Sequence, residues 1–170
     1  MSPRPLAARI VAELTRRGER LAVAESLTGG LLTSSLVDVP GASAVVSGGV
    51  VAYATELKAS VLGVDAALLA ARGAIDEDVA RGMAEGVRAR LAIDGRPADL
   101  GLATTGAAGP DPQDGHAPGT VWLGLADARG SRGELLALSG DRDAVRAAAV
   151  DAALELLARH LGLAATAPRE

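Results

Sequence analysis

Apolar residues recur at helical spacing from about Pro5 to Gly18, where Leu6, Ile10, Val11 and Leu14 share one face and Gly18 supplies the stop. The pattern then shortens. Arg20 to Ala24 predicts a short strand, which runs into Glu25-Ser26-Leu27-Thr28-Gly29-Gly30 and a helix carrying Leu31, Leu32, Leu36 and Val37 up to Pro40. A strand, a small-residue turn and a helix start form an arrangement that presents backbone N–H groups to an anion. From Ala44 to Tyr53, Val45, Val46, Val50 and Val51 predict a buried strand, with Gly48 and Gly49 marking a bulge or a close approach. Helices are expected over Thr55 to about Leu62, over Val64 to Ala71 and over Asp76 to Leu91. The last has Asp76 as N-cap and Glu77 and Asp78 in its positively polarised first turn. Ala98 to Thr105 reads as a strand that ends in a glycine-rich loop through Pro118. Two strands, Thr120 to Ala126 and Arg132 to Leu138, are joined at Asp127-Ala128-Arg129-Gly130 as a hairpin, and a closing helix runs from Asp141 to His160. Ala164 to Glu170 reads as a loose tail.

Strands alternating with helices make this an α/β protein with helices on both faces of a sheet, and the hairpin makes that sheet mixed. No repeat, low-complexity block or linker divides the chain, so residues 1–163 are expected to form one domain. At 170 residues the length suits a single core. Nearly half the residues are apolar, but they are chiefly Ala, Val and Leu, with one Trp, one Tyr and no Phe. The core must therefore be built from small side chains packed between regular elements.

Charge and composition narrow the function. A net charge of −4 and a pI near 5.2 argue against a nucleic-acid partner, which would need a clustered basic surface. The absence of Cys excludes thiolate chemistry and cysteine-zinc sites. The N-terminus is interrupted by charge every few residues and lacks a signal-peptide core. The longest uncharged run, Val39 to Thr55, is broken by Pro40 and glycines and falls short of the roughly 20 apolar residues of a spanning helix. A cytoplasmic protein with no membrane partner is expected. The Ala-rich final helix serves a homo-oligomer interface as readily as the core.

The candidate chemistry gathers in Pro40 to Lys58, which holds Ser43, the only tyrosine, Tyr53, and the only lysine, Lys58, in a chain with sixteen arginines. Guanidinium stays protonated, whereas a desolvated ammonium can lose its proton and act as a base. Four segments fall where strand C-termini meet helix N-termini: Glu25 to Gly30, Tyr53 to Lys58, Thr104 to Pro110, and Ser139 to Arg142. Each has a plain structural reading as well. Thr28-Gly29-Gly30 is an ordinary helix start as readily as a ligand loop, and Arg142 and Arg146 suit an anion or a neighbouring carboxylate. His116 and His160 are too far apart in sequence to suggest a metal site, and no metal or cofactor is expected.

Taken together, Ala24-Glu25-Ser26-Leu27-Thr28-Gly29-Gly30, Pro40-Gly41-Ala42-Ser43, Tyr53 with Lys58, Thr105-Gly106-Ala107-Ala108-Gly109-Pro110, Pro118-Gly119-Thr120-Val121 and Gly140-Asp141-Arg142-Asp143 occur in an order that resembles the CinA C-terminal domain family, the nicotinamide-nucleotide amidohydrolases. The resemblance covers roughly residues 5 to 160. It implies a three-layer α/β/α sandwich with a mixed, mostly parallel sheet, hydrolysing nicotinamide mononucleotide to nicotinic acid mononucleotide and ammonia. The family's longer members carry an extra N-terminal pyrophosphatase domain, so this chain is similar to the stand-alone form. The resemblance places the nucleophile on Ser43, the base on Lys58 and the family's tyrosine on Tyr53. Ser26, Thr28, Gly29, Gly30, Thr105 and Gly106 fall on its substrate pocket and Arg142 on its G-D-R turn, with phosphate as the expected ligand.

An amide needs an activated nucleophile, and with no Cys a Ser beside a base is the economical choice. The proton would pass to Lys58 directly or through Tyr53, and backbone N–H groups of a glycine turn would hold the oxyanion. Sequence leaves open whether Ser26 or Ser43 carries the acyl group: Ser26 lies at a strand-to-helix turn, but without the glycines of a G-x-S-x-G elbow. Leu27, Thr55 and Ala107 stand where the family commonly has Cys, Asn and Ile, which bears on pocket shape and substrate choice. A second reading is a catalytically silent nucleotide-binding module in which Lys58 stays protonated on a phosphate. A short-chain dehydrogenase is set aside, because four residues separate Tyr53 from Lys58 and no dinucleotide fingerprint is present.

Overall fold

The structure is a computed structural model that describes residues 5–163. The tail expected over 164–170 lies outside the described residues. The chain forms α1 (Pro5–Arg17), β1 (Leu21–Glu25), α2 (Leu31–Val37), a 3₁₀ turn (Ala42–Ala44), β2 (Val46–Val51), α3 (Thr55–Ser60), α4 (Ala66–Arg72), α5 (Glu77–Arg90), β3 (Leu100–Gly106), β4 (Thr120–Asp127), β5 (Gly130–Ala137) and α6 (Arg142–His160). The expected elements are all present. Asp76 caps α5 through Asp78 N, and Asp65 and Asp141 cap α4 and α6 in the same way.

The five strands form one mixed sheet in the order β2-β1-β3-β4-β5. Its first three strands are parallel, and the β4–β5 hairpin adds antiparallel to β3. Helices cover both faces, which makes the three-layer sandwich. On one side α1, α2 and α6 bury Ile10, Leu14, Leu32, Leu36, Val145, Leu154 and Leu157 against Leu21, Val23, Leu102 and Leu123. On the other side α5 buries Val79, Met83, Ala84 and Val87 against Ala22, Ala24, Ala103 and Ala126.

The two faces differ in side-chain size because alternate strand residues point to opposite sides. Register aligns Ala22 with Gly101 and Gly101 with Ala126, and next to them Ala24 with Ala103 and Ala103 with Gly124. This in-register floor of small residues lets the backbone of α5 lie directly on the sheet. A methyl group on Gly101 or Gly124 would overlap the carbonyls of Ala84 or Ala80. Close approach replaces bulk, which is how a chain without Phe fills its core.

One expectation is corrected. The run Ala44 to Tyr53 does not make a buried strand, since β2 is an edge strand with half-exposed and exposed positions and begins only at Val46. Its β-branched residues satisfy propensity, whereas burial depends on having a neighbour on each side. The bulge does occur, as a register slip between Leu21 and Ala22 of β1 that leaves Ser47 out of the ladder. Among the described residues no helix is long and apolar enough to cross a membrane.

Candidate active site

Because β1, β2 and β3 are parallel, their C-terminal ends meet at one edge of the sheet. Antiparallel β4 starts at that edge and β5 ends there, delivering the first turn of α6. The backbone ladder continues one residue past β1 and β2. Ser26 N–H donates to Thr104 O at 3.0 Å and Ala52 N–H donates to Glu25 O at 2.9 Å. Ser26 and Ala52 are thereby held by rigid strands and not by mobile loops.

Lys58 reaches this edge from α3. Its side chain is 1% exposed, and Nζ lies 3.1 Å from Ser26 Oγ and 2.9 Å from Ala52 O. Burial drives its pKa down from 10.5 to about 8, while the carboxylates of Asp114 and then Glu56 pull it back up. The physical cause is desolvation of a cation that has only neutral hydrogen-bond partners. Nζ donates to the Ala52 carbonyl and to Ser26 Oγ. On losing a proton it would keep the first bond and turn a lone pair to the serine hydroxyl.

Ser26, at 8% exposure, opens into a small cleft of about 110 Å³ lined with Leu27, Tyr53, Gly106, Ala108, Gln113 and Arg142. Tyr53 is 61% exposed and stands at the mouth, where its hydroxyl accepts from Arg142 Nη2 at 3.0 Å. Arg142 also donates to Gly109 O at 2.8 Å. The Ser26 hydroxyl thus lines the cleft, with the buried Lys58 amine bonded behind it and an exposed guanidinium at the rim.

Several expected site residues are placed differently. Ser43 is not brought to Lys58. It lies exposed on the 3₁₀ turn that precedes β2, beside the start of β1, where Leu21 N–H donates to Val45 O. Lys58 follows the far end of that strand, and six residues of extended chain put roughly 17 Å between the two ends. The hydroxyl beside Lys58 is that of Ser26. Tyr53 does not bridge serine and lysine either, since its hydroxyl is engaged by Arg142 and Lys58 bonds Ser26 directly.

The polar groups of the remaining pocket candidates are committed internally. Thr28 and Thr104 share a hydrogen bond of 2.8 Å, and Thr105 donates to Ala74 O at 2.6 Å. These buried hydroxyls tie the floor of the site together. Gly29 and Gly30 have φ of 58° and 98°, left-handed values that favour glycine and that let the chain turn from β1 into α2. Gly29 N–H donates to Ser26 O, and Gly30 N–H to Glu25 Oε2.

Glu25 changes the meaning of the α2 helix start. Its carboxylate, 0% exposed, accepts from the N–H groups of Gly30, Leu32 and Thr33 and from the Thr33 hydroxyl. The anion at this N-terminus is therefore built in, and the turn offers no vacant phosphate site. Replacing Glu25 with Ala leaves those donors buried without an acceptor. The expected loss is about 3 kcal/mol of folding stability, read from urea unfolding, with Glu25→Gln losing less.

Sequence reasoning gave no role to Glu25 and left Arg146 open between an anion and a carboxylate. Arg146 lies one helical turn beyond Arg142, and its guanidinium donates to Leu27 O at 2.9 Å and to Thr28 O at 3.2 Å. It clamps the turn that follows Ser26. Its Nη1 also lies 3.7 Å from Asp143 Oδ1, so the carboxylate alternative is met alongside the two carbonyls. Leu27 and Ala107, where the chain departs from the common pattern, are both buried beside the site, and Thr55 opens α3. Among the described residues, no group of three His, Cys, Asp or Glu side chains converges as a metal site.

The arrangement has clear relatives. The profile of the CinA C-terminal domain matches residues 3–161. A CinA-like protein of Frankia casuarinae is 53% identical over 148 residues, covering 87% of this chain and 33% of that protein. One from Geobacter sulfurreducens is 47% identical over 153 residues, covering 89% and 36%. This chain therefore spans about a third of the length of those curated relatives. Among solved structures, a CinA superfamily protein from Klebsiella pneumoniae superposes with a TM-score of 0.85 at 35% identity, covering 92% of this chain and 96% of that one. The competence/damage inducible protein CihA of Agrobacterium tumefaciens gives 0.84 at 34%, covering 92% and 93%. With the family profile matched over nearly the whole chain, this protein belongs to the CinA C-terminal domain family.

Proposed function

We propose that this protein is an amidohydrolase that converts nicotinamide mononucleotide to nicotinic acid mononucleotide and ammonia, with Ser26 as nucleophile and Lys58 as base. The observation that carries the reading is the buried Lys58 amine 3.1 Å from the Oγ of Ser26, a residue that lines the cleft. A nucleophile within hydrogen-bond reach of a base of lowered pKa is the pairing that acyl transfer requires.

In this mechanism Ser26 Oγ attacks the carboxamide carbon as its proton passes to Lys58 Nζ. The tetrahedral intermediate collapses by breaking the carbon–nitrogen bond, the protonated lysine gives its proton to the departing nitrogen, and ammonia leaves. Water then attacks the acyl ester with Lys58 again taking a proton, which returns to Ser26 Oγ as the acid is released. In this reading the N–H of Leu27, the residue after the nucleophile, receives the oxyanion. Arg146 supports it by holding the carbonyls of Leu27 and Thr28. At about 110 Å³ the cleft has room for a ring and its carboxamide but is smaller than sites that enclose a whole ligand. The ribose phosphate would then lie outside it, near Arg142 and Tyr53.

The alternative of a silent nucleotide-binding module has less support, because a phosphate-binding lysine should reach the solvent, whereas Lys58 is buried and its amine is bonded to Ser26 and Ala52. The test is production of ammonia and nicotinic acid mononucleotide from nicotinamide mononucleotide with EDTA present. Turnover unaffected by the chelator is expected. Nucleotide binding without product would overturn the reading in favour of the silent module.

A further inference from the structure

Seven residues line the cleft, and one polar side chain among them has no part in the reaction as written. Leu27, Gly106 and Ala108 offer no polar side-chain atom. Ser26 is bonded to Lys58, Tyr53 accepts from Arg142, and Arg142 also donates to Gly109 O. That leaves Gln113, which is exposed and whose side-chain amide makes no hydrogen bond among the described residues. Its carbonyl oxygen and its NH2 group are both available to a ligand.

The backbone that carries this amide is fastened. Gln113 and His116 exchange two backbone hydrogen bonds of 3.0 and 2.8 Å, closing a tight turn with Asp114 and Gly115 at its corner, both at positive φ, 50° and 77°. Asp114 Oδ2 accepts from Ala74 N–H at 3.2 Å, and Ala74 O accepts from the Thr105 hydroxyl at 2.6 Å. Thr105 follows Thr104, whose carbonyl takes the Ser26 N–H at 3.0 Å. The turn is thereby tied to the strand end beside Ser26, and it presents Gln113 to the same cleft.

A primary carboxamide brings a carbonyl and two N–H groups into this small space. In the reaction above the carbon meets Ser26 Oγ and the carbonyl oxygen goes to the Leu27 N–H. The N–H groups still need an acceptor, since a polar hydrogen taken out of water without one costs binding. Among the side chains that line the cleft, the acceptor without a partner is Gln113 Oε1. We propose that Gln113 reads the reacting group of the substrate, its Oε1 accepting an N–H of the carboxamide as Ser26 attacks beside it. The inference rests on the amidohydrolase reading and adds to it the residue that recognises the amide.

Gln113→Glu keeps the acceptor and adds a charge, which separates recognition of the carboxamide from recognition of the rest of the nucleotide. The Kd values of nicotinamide mononucleotide and nicotinic acid mononucleotide are measured by calorimetry at neutral pH in Ser26→Ala, which is expected to bind without turnover, and in the same protein carrying Gln113→Glu or Gln113→Leu. Both ligands share the ribose and the phosphate, so the ratio of their Kd values reports on the carboxyl end alone. With Gln113→Glu the acid faces a like charge and the amide does not, and the ratio of acid to amide is expected to rise by about tenfold or more. Gln113→Leu removes both polar atoms and should weaken amide binding by about three- to tenfold. The turn is held by backbone bonds and by Asp114, so both variants should fold. A ratio unchanged by Gln113→Glu while both nucleotides bind overturns the proposal and leaves the amidohydrolase reading standing, as does amide binding unaffected by Gln113→Leu. The expected ratio in a protein whose native form makes no product upholds the carboxamide contact and sinks only the hydrolysis. Failure of both nucleotides to bind Ser26→Ala sinks the substrate reading and the assignment of Gln113 with it.

Discussion

Ser26→Ala is expected to lose hydrolysis of nicotinamide mononucleotide by about 10³-fold or more, the scale seen when a covalent nucleophile is removed, while Ser43→Ala keeps rates within about twofold. The difference follows from sheet polarity. Ser26 follows β1 at the edge where parallel strands end and lies 3.1 Å from the lysine. Ser43 precedes β2 and faces solvent at the opposite edge. Steady-state kinetics with both variants, together with mass spectrometry for an acyl adduct on the peptide containing Ser26, measures this directly. Loss of activity in Ser43→Ala with Ser26→Ala active would reverse the assignment. Ser26→Ala should also fold normally, because the hydroxyl it removes supports only the contact with Lys58.

Lys58→Met should abolish turnover and at the same time make the protein more stable at neutral pH. Native Lys58 is fully buried with its pKa lowered from 10.5 to about 8, so below pH 8 folding must hold a charge in an environment that disfavours it. The displacement corresponds to about 3 kcal/mol. Losing the hydrogen bonds to Ser26 and Ala52 O offsets about half of this in Met, leaving a net gain of about 1–2 kcal/mol. The sign with pH is fixed by linkage. Between about 8 and 10.5 the unfolded chain binds the proton and the folded chain does not, so native stability rises across that window. The advantage of the Met variant is full below 8 and gone by 10.5. Urea unfolding of both proteins at pH 6, 8 and 10 tests it, and a Met variant less stable at pH 6 would contradict the account. In the native enzyme, kcat/KM should climb as pH rises toward 8 for the same reason, since only the neutral amine can take the Ser26 proton. A site that costs the fold free energy is the usual mark of function weighed against stability.

The helices and strands were legible because periodicity is a local property: Leu6, Ile10, Val11 and Leu14 mark α1 whatever it packs against. Lys58 was legible too, as the one titratable cation among sixteen arginines. The pairing of that lysine with Ser26 was not, although strand polarity held a clue, since Ser26 follows a strand and Ser43 precedes one. Residue type and motif order treat the two serines alike; only parallel pairing of β1 and β2 puts one beside the lysine and the other at the far edge.

Glu25, Thr28 and Thr105 show a second limit. The hydroxyls of Thr28 and Thr105 beside glycines read as ligand groups and Glu25 had no role, yet all three are buried and bonded within the protein. Sequence determined which elements form, the small-residue composition of the core and the presence of a lone amine. Tertiary structure decided which hydroxyl that amine meets, that β2 is an edge and not a buried strand, and that Gln113 and Arg146 are delivered to the site from distant parts of the chain. The reason is that burial, hydrogen-bond partners and electrostatic fields depend on neighbours in space, which a one-dimensional pattern does not contain.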